Sequence, residues 1–123
     1  MVGSADDRRK ALGRLSEDLA CRYLEGEGFE IIERNWRTCD GEIDIVARYG
    51  DLVAFVEVKA RRGTRFGEPE ESVTPSKIRR IRRVAAEYLS QAPVSGEVRF
   101  DVIGIRFGAG ETVTELRHTE AAF

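Results

Sequence analysis

Near the start of the chain, hydrophobic residues recur at intervals of three and four, the period of one helix face. This pattern predicts an amphipathic helix over residues 6–25 that ends at Gly26. A second pattern of this kind predicts a helix with Thr74 as N-cap and Pro75 as its first residue, ending before Pro93. The two apolar stripes comprise Leu12, Leu15, Leu19, Ala20, Tyr23 and Leu24, and then Ile78, Ile81, Ala85, Tyr88 and Leu89.

Between and after these helices the pattern is that of β-strands. Strands are predicted over residues 29–36, 41–47, 52–60, 98–107 and 112–116. The first has the mixed pattern of an edge strand, and the third is a valine-rich run typical of a buried strand. In the second strand, alternation separates Ile43, Ile45 and Ala47 from Glu42, Asp44 and Val46. The order α-β-β-β-α-β-β predicts an α/β fold.

Length and composition indicate one domain over residues 1–123. The chain has a mass of 13.8 kDa and contains 41% hydrophobic and 34% charged residues, enough for one modest core. Its apolar runs are too short to cross a bilayer. The first residues lack the basic segment and apolar stretch of a secretory signal, so we expect a cytoplasmic protein. Cys21 and Cys39 are then expected as free thiols, with a disulfide as the alternative.

Several classes of enzyme have no support in the sequence. The single histidine, His118, and two cysteines cannot complete a structural zinc site without carboxylates, and we expect His118 to be structural. No GxSxG turn is present, which argues against a triad hydrolase. Neither GxxxxGK[ST] nor GxGxxG occurs, which argues against ordinary nucleotide cradles.

Charge is distributed unevenly along the chain. The net charge is −2, yet residues 59–83 contain nine basic and three acidic side chains, which gives +6 there and −8 elsewhere. This segregation predicts a phosphate-binding surface, because arginine contacts phosphate through two donors at once. The alternative is a solvated helix face. The residues assigned to nucleic-acid binding are Arg61, Arg62, Lys77, Arg79, Arg80 and Arg83.

The central strands carry the candidate catalytic residues. Glu57 and Lys59 are two apart and therefore share one strand face. Residues opposite each other in a hairpin have a constant index sum, so a sum of 101 pairs Asp44 with Glu57 and leaves Gly50 and Asp51 as the turn. A sum of 99 makes the two acids diagonal neighbours. We expect one of these two registers, since both bring Asp44, Glu57 and Lys59 together.

Adjacent carboxylates favour a bound cation. Two buried acids repel each other unless a cation neutralises them, and carboxylate oxygens prefer magnesium or manganese to zinc. Lys59 would then orient or help to deprotonate the attacking water, or stabilise charge in the transition state of phosphodiester hydrolysis. The alternative is an ordinary ion pair between Glu57 and Lys59 on a solvated face.

In this order, the motifs resemble the PD-(D/E)XK nuclease superfamily and, more closely, the YraN-like family, which is similar to archaeal Holliday junction resolvases. The matching segments are residues 13–17 (GRLSE), 35–37 (NWR), 41–44 (GEID), 55–61 (FVEVKAR), 66–67 (FG), 99–102 (RFDV) and 118–123. Ile43 stands where that superfamily nominally has proline. The resemblance implies a restriction-endonuclease-like core, in which a central mixed sheet is flanked by helices.

The resemblance also implies a function. Asp44, Glu57 and Glu17 would bind Mg²⁺ or Mn²⁺, with Glu42 as a weaker candidate, and the substrate would be structured or branched DNA in repair or recombination. Gly13 and Glu17 share a helix face, which would let that helix approach the sheet. Cleavage of a four-way junction would require a homodimer. The alternative is a catalytically silent nucleic-acid-binding or scaffold protein of the same fold.

Overall fold

The computed structural model describes residues 4–63 and 73–123. Its elements are α1 (Ala5–Gly26), β1 (Glu30–Thr38), β2 (Gly41–Tyr49), β3 (Leu52–Arg62), α2 (Pro75–Gln91), β4 (Val98–Phe107), a 3₁₀ turn (Ala109–Glu111) and β5 (Val113–Thr119). The order confirms the predicted α-β-β-β-α-β-β arrangement. Arg65, the acidic residues Glu68, Glu70 and Glu71, and the segment at Phe66, Gly67 and Pro69 lie outside the described residues.

The five strands form one mixed sheet in the order β1-β2-β3-β4-β5. Strands β3 and β4 are parallel, and every other neighbouring pair is antiparallel. Helix α2 lies in the connection between the two parallel strands, as such a crossover requires. This α/β architecture is consistent with a restriction-endonuclease-like core, and β1 is an edge strand as predicted.

Side-chain caps fix the start of both helices. The Ser4 hydroxyl accepts a hydrogen bond from the Asp7 N–H at 3.1 Å at the start of α1. The Thr74 hydroxyl accepts one from the Lys77 N–H at 3.3 Å, and Pro75 occupies the first turn of α2. The predicted beginning of α2 is therefore confirmed.

The β2–β3 hairpin has the first of the two predicted registers. Its pairs run from Tyr49 with Leu52 to Ile45 with Val56, a constant sum of 101. Gly50 begins the two-residue turn with φ +60°, a conformation that primed hairpin turns need and glycine adopts without strain. This register brings Asp44 of β2 alongside the segment of β3 that contains Glu57 and Lys59.

A hydrophobic core lies on each side of the sheet. Helix α1 covers one face and helix α2 the other. The α1 side contains Ala20, Leu24, Ile45, Ala47, Val56, Ile103, Ile105 and Phe107. The α2 side contains Ile43, Val46, Val53, Phe55, Ile81, Val84, Ala85 and Tyr88.

One predicted face assignment is wrong. Ile43 packs on the α2 side with Val46, not on the α1 side with Ile45. The strand is irregular at this point, because Asn35 on the neighbouring β1 has φ +52° and the pairing of β1 with β2 is interrupted opposite Asp44. Strict alternation of faces fails where a ladder is disrupted.

Two further expectations concern the cysteines and the membrane. Cys21 is buried, Cys39 is exposed, and both are free thiols, as predicted. Among the described residues, neither helix is long and apolar enough to cross a membrane.

Candidate active site

Asp44 lies where strands β2 and β3 separate. Backbone pairing between these strands extends to Ile45 with Val56 and does not include Asp44. The partly buried Asp44 side chain instead reaches β3, where its Oδ2 accepts a hydrogen bond from the Val58 N–H at 2.8 Å. A carboxylate thus replaces main-chain pairing at this opening in the sheet.

Glu57 and Lys59 lie on β3 beside this opening. Their side chains form an ion pair, with 3.2 Å between Lys59 Nζ and Glu57 Oε1, and each is only 15% exposed. Alternation along β3 places both on the α2 side of the sheet, opposite Val56 and Val58. The structure therefore brings Asp44, Glu57 and Lys59 together, as predicted.

The Asp44 carboxyl has a strongly perturbed acidity. Burial, followed by the negative charge of Glu57, raises the pKa of Asp44 to about 8, and Glu17 and Glu42 raise it further. The hydrogen bond from the Val58 N–H acts in the opposite direction but is outweighed. Asp44 is consequently protonated at neutral pH unless a cation joins this group of acids.

Lys77, in the first turn of α2, belongs to the same group of side chains. Contact with Lys59, together with burial, lowers the pKa of Lys77, and Glu57 partly opposes this effect. The sequence assigned Lys77 only to the nucleic-acid surface. The cap at Thr74 was the available signal, because it fixes Lys77 in the first helical turn after β3.

Glu17 and Glu42 border the site but already have partners. Glu17 Oε1 accepts a hydrogen bond from Asn35 Nδ2 at 2.9 Å, and Arg34 Nη2 lies 3.8 Å from it. Glu42 Oε2 accepts one from Arg37 Nε at 2.7 Å. Both acids raise the pKa of Asp44, so Glu17, which the resemblance names as a metal ligand, lies near the site.

The donor set fits magnesium or manganese better than zinc. Among residues 4–63 and 73–123, no group of three or more His, Cys, Asp or Glu side chains is arranged to hold a metal ion. Magnesium, however, commonly binds through one or two carboxylates together with water and substrate phosphate. Asp44 Oδ1 and Glu57 Oε2 accept no hydrogen bond from the described residues, which leaves one oxygen of each acid for such an ion.

The predicted basic residues lie on two elements. On α2, Arg79, Arg80 and Arg83 are exposed and form no ion pair with a carboxylate of the described residues. At the end of β3, Arg61 donates a hydrogen bond to the Ala60 carbonyl at 3.2 Å, and Arg62 lies 3.5 Å from Glu111. The α2 arginines are therefore the better placed for an external anion.

A second buried acid, Asp101 on β4, was not assigned a role from the sequence. Arg99 donates two hydrogen bonds of 2.9 Å to its carboxylate, His118 Nε2 lies 2.8 Å from Oδ2, and the Ala121 N–H donates at 3.1 Å. Tyr23 contacts the other ring nitrogen of His118 at 3.1 Å. The expected structural role of His118 agrees with this position.

The molecule is thus an α/β protein in which a mixed sheet presents two acids and a lysine where two strands part. A model of the uncharacterised protein family UPF0102 matches residues 16–105, a range that includes all three side chains. The chain belongs to this family.

Individual relatives match over most of their length. A UPF0102 protein of Rhodococcus opacus is 50% identical over 114 residues, covering 92% of this chain and 96% of the relative. One from Leifsonia xyli is 43% identical over 90% of this chain and 94% of its own. One from Pelotomaculum thermopropionicum is 44% identical over 95% of this chain and 98% of its own.

Proposed function

We propose that this protein is a metal-dependent nuclease of the PD-(D/E)XK superfamily, YraN-like, which hydrolyses phosphodiester bonds in structured or branched DNA during repair or recombination. The observation that carries the proposal is the convergence of Asp44, Glu57 and Lys59 where β2 and β3 separate. The restriction-endonuclease-like core supports it, because that core is the one the motif resemblance implies.

Two acids would hold the cation. Asp44 and Glu57 each retain an oxygen without a partner among the described residues, and Mg²⁺ or Mn²⁺ would bind there. When bound, the ion would act as a Lewis acid on the scissile phosphate and neutralise developing charge. Glu57 also holds Lys59 in position through the 3.2 Å ion pair.

Two lysines would complete the chemistry. Lys59 Nζ would donate a hydrogen bond to a phosphate oxygen as negative charge develops on it. Lys77 lies against Lys59, and this contact, together with burial, lowers the pKa of Lys77. Lys77 would therefore accept the proton that the attacking water releases.

The exposed arginines of α2 would bind the substrate backbone. Arg79, Arg80 and Arg83 follow Lys77 within two helical turns, on the helix whose first turn reaches the site. Phosphate contacts fix the position of a nucleic acid without reading its sequence, which suits an enzyme that recognises the shape of its substrate.

The second candidate is a silent binding or scaffold protein with the same surface. One observation favours it. Lys59 already neutralises Glu57, and a protonated Asp44 carries no charge, so the site is electrically satisfied without a metal. Such a protein would bind nucleic acid and yield no metal-dependent products.

A cleavage assay separates these candidates. Branched DNA, linear DNA and RNA are incubated with the protein in Mn²⁺, in Mg²⁺ and in chelator, with Glu57→Gln as the test variant. Glu33→Gln is the matched control, because Glu33 is an exposed strand glutamate away from the site. Metal-dependent products from the wild type and the control, but not from Glu57→Gln, are expected. Absence of products from the wild type on every substrate would leave only the binding protein.

Two accompanying proposals concern assembly and location. Paired cuts in a four-way junction need two active sites, so we propose a homodimer as the working form on that substrate. Sedimentation of the protein on a junction tests this, and a strict monomer making both cuts in one binding event would contradict it. The free thiols Cys21 and Cys39 support a reducing, cytoplasmic environment.

A further inference from the structure

Gly13 lies in the middle of helix α1 without a packing reason to be glycine. Glycine inside a helix is less stable than alanine because it loses more backbone freedom on folding. A Cβ atom at Gly13 would meet nothing within 4 Å, and the residue has ordinary helical geometry. The helix face approaches the sheet as expected at Glu17, which contacts Asn35 of β1, whereas the Gly13 position one turn earlier faces open space.

That open space is a groove between α1 and the β1–β2 hairpin. Its volume is about 430 Å³. Its walls include Lys10, Arg14 and Glu17 from α1 and Arg37 and Glu42 from the hairpin. We call it the Gly13 groove. Glu42 lines the groove and lies two residues before Asp44 on β2, so the groove adjoins the candidate active site.

The cations of the Gly13 groove differ in how firmly they are paired. Arg37 is paired with Glu42 at 2.7 Å, and Lys10 lies 3.5 Å from Asp6 on the helix surface. Arg14 is exposed and has no carboxylate within ion-pair distance among the described residues. Arg14 therefore has its guanidinium available for an external anion at the position next to Gly13.

We infer that the Gly13 groove binds the sugar-phosphate backbone of the nucleic acid next to the scissile bond, with Arg14 contacting phosphate and Gly13 allowing close approach to helix α1. A missing side chain is what lets a chain come close to a helix backbone. The inference rests on the proposed function, since it extends the substrate path from the α2 surface to α1.

The acids of the groove set a condition on this binding. Glu17 and Glu42 line the groove and repel phosphate, and a divalent cation held at the adjoining candidate active site would offset this repulsion. Binding in the Gly13 groove is therefore expected to be stronger in Ca²⁺, which supports binding without requiring turnover, than in chelator.

The first test uses Gly13→Ala with Gly26→Ala as its control. Gly26 also lies in α1, has open space at its Cβ position and is outside the groove. Thermal unfolding should show Gly13→Ala stabilised by roughly 2 to 4 °C. Its affinity for branched DNA in Ca²⁺ should nevertheless fall by about tenfold, whereas Gly26→Ala should bind like the wild type.

The second test uses Arg14→Gln with Arg22→Gln as its control. Arg22 is exposed on the same helix and does not line the groove. Loss of one phosphate contact should lower the slope of log affinity against log salt by about one. Arg22→Gln should leave that slope unchanged.

The outcomes separate the groove from the proposed function. If the wild type binds DNA but Gly13→Ala and Arg14→Gln bind equally well, the groove inference is wrong and the proposed nuclease is unaffected. If both variants weaken binding while the wild type never cleaves, the groove stands and the enzymatic proposal falls. Failure of the wild type to bind any nucleic acid in Ca²⁺ would overturn both.

Discussion

Asp44 on β2 is partly buried and Asp101 on β4 is fully buried, yet the two acids differ in their hydrogen-bond donors and in the charges around them. Asp101 is fully buried and receives hydrogen bonds from Arg99, His118 and the Ala121 main chain. Asp44 receives one from the Val58 N–H and otherwise faces other acids. The pKa of Asp101 is lowered despite burial, by hydrogen bonds from His118 and Arg99, whereas that of Asp44 is raised to about 8.

The difference supports a structural role for Asp101 and the proposed functional role for Asp44. Asp101 has a full set of donors supplied by the protein itself, so it fastens β5 and the segment after it to β4. Asp44 forms no ion pair with a basic side chain of residues 4–63 and 73–123 and lies where the sheet opens. Perturbed acids of this kind concentrate at functional sites, because a substrate or metal completes them.

Lys59→Ala gives the largest expected effect. The substitution leaves both proposed metal ligands, Asp44 and Glu57, in place, so Mn²⁺ should still bind while the rate of cleavage falls by roughly 10² to 10⁴. Single-turnover cleavage and metal calorimetry on the same preparation measure both quantities. Unchanged cleavage would show that the lysine is only the partner of Glu57.

Removal of the Asp101 carboxylate should cost stability instead. Asp101→Ala leaves Arg99 and His118 without their buried partner, and we expect a loss of about 3 to 5 kcal/mol in the free energy of unfolding. Asp18→Ala is the control, because Asp18 forms an exposed ion pair with Arg34 worth about 1 kcal/mol or less. If urea denaturation shows equal losses in the free energy of unfolding for Asp101→Ala and Asp18→Ala, Asp101 has no special structural role and the contrast with Asp44 fails.

The two acids should also give opposite dependences of stability on pH. Asp44 holds its proton in the folded state up to about pH 8 but loses it near 3.8 when unfolded. In chelator, its contribution therefore decreases as pH rises from about 4 to 8, by at most about 1.4 kcal/mol per pH unit. Asp44→Asn should remove this decline. A wild-type profile identical to that of Asp44→Asn across this range would be inconsistent with the raised pKa.

Asp101 should act at the acidic end of the same profile. Its folded-state pKa is lowered below the usual aspartate value of about 3.8, so its stabilisation is complete above that value and disappears as pH falls through the lower folded value. The decline of stability below pH 4 should therefore persist in Asp44→Asn. Urea denaturation at several pH values, with Asp44→Asn and with Asp101→Ala, measures the two contributions separately.

The smallest expected effects come from single arginines of α2. Arg79→Gln, Arg80→Gln and Arg83→Gln should each lower DNA affinity a fewfold and reduce the salt slope by about one. Titrations at several salt concentrations measure this, and Arg22→Gln on α1 serves as the control. If none of the three substitutions changes the salt slope of DNA affinity, α2 is not part of the substrate path.

Local patterns were sufficient to predict much of the fold. The capped start of α2 at Thr74, the β2–β3 turn at Gly50 and the extent of β4 depend on neighbouring residues, and each was confirmed. The same reasoning placed Asp44 with Glu57 and Lys59, because the register of one hairpin determines their proximity. The assignment of Glu17 required the family resemblance, since nothing in its own helix distinguishes it.

What the sequence did not reveal depends on distant contacts. His118 meets Asp101 across 17 positions and Tyr23 across 95, separations about which periodicity carries no information. The position of Ile43 was mispredicted because strand irregularity at Asn35 and Asp44 overrides alternation. The open space at Gly13 likewise depends on where the β1–β2 hairpin lies relative to α1.

The central claim is that Asp44 and Glu57 bind a divalent cation, and calorimetric titration with Mn²⁺ at pH 7 tests it most directly. Because the pKa of Asp44 is about 8 without metal, binding should release close to one proton, measurable by repeating the titration in buffers of different ionisation enthalpy. Asp44→Asn should bind far more weakly and release none. Absence of Mn²⁺ binding to the wild type at millimolar concentration, or equal binding by Asp44→Asn, would contradict the account.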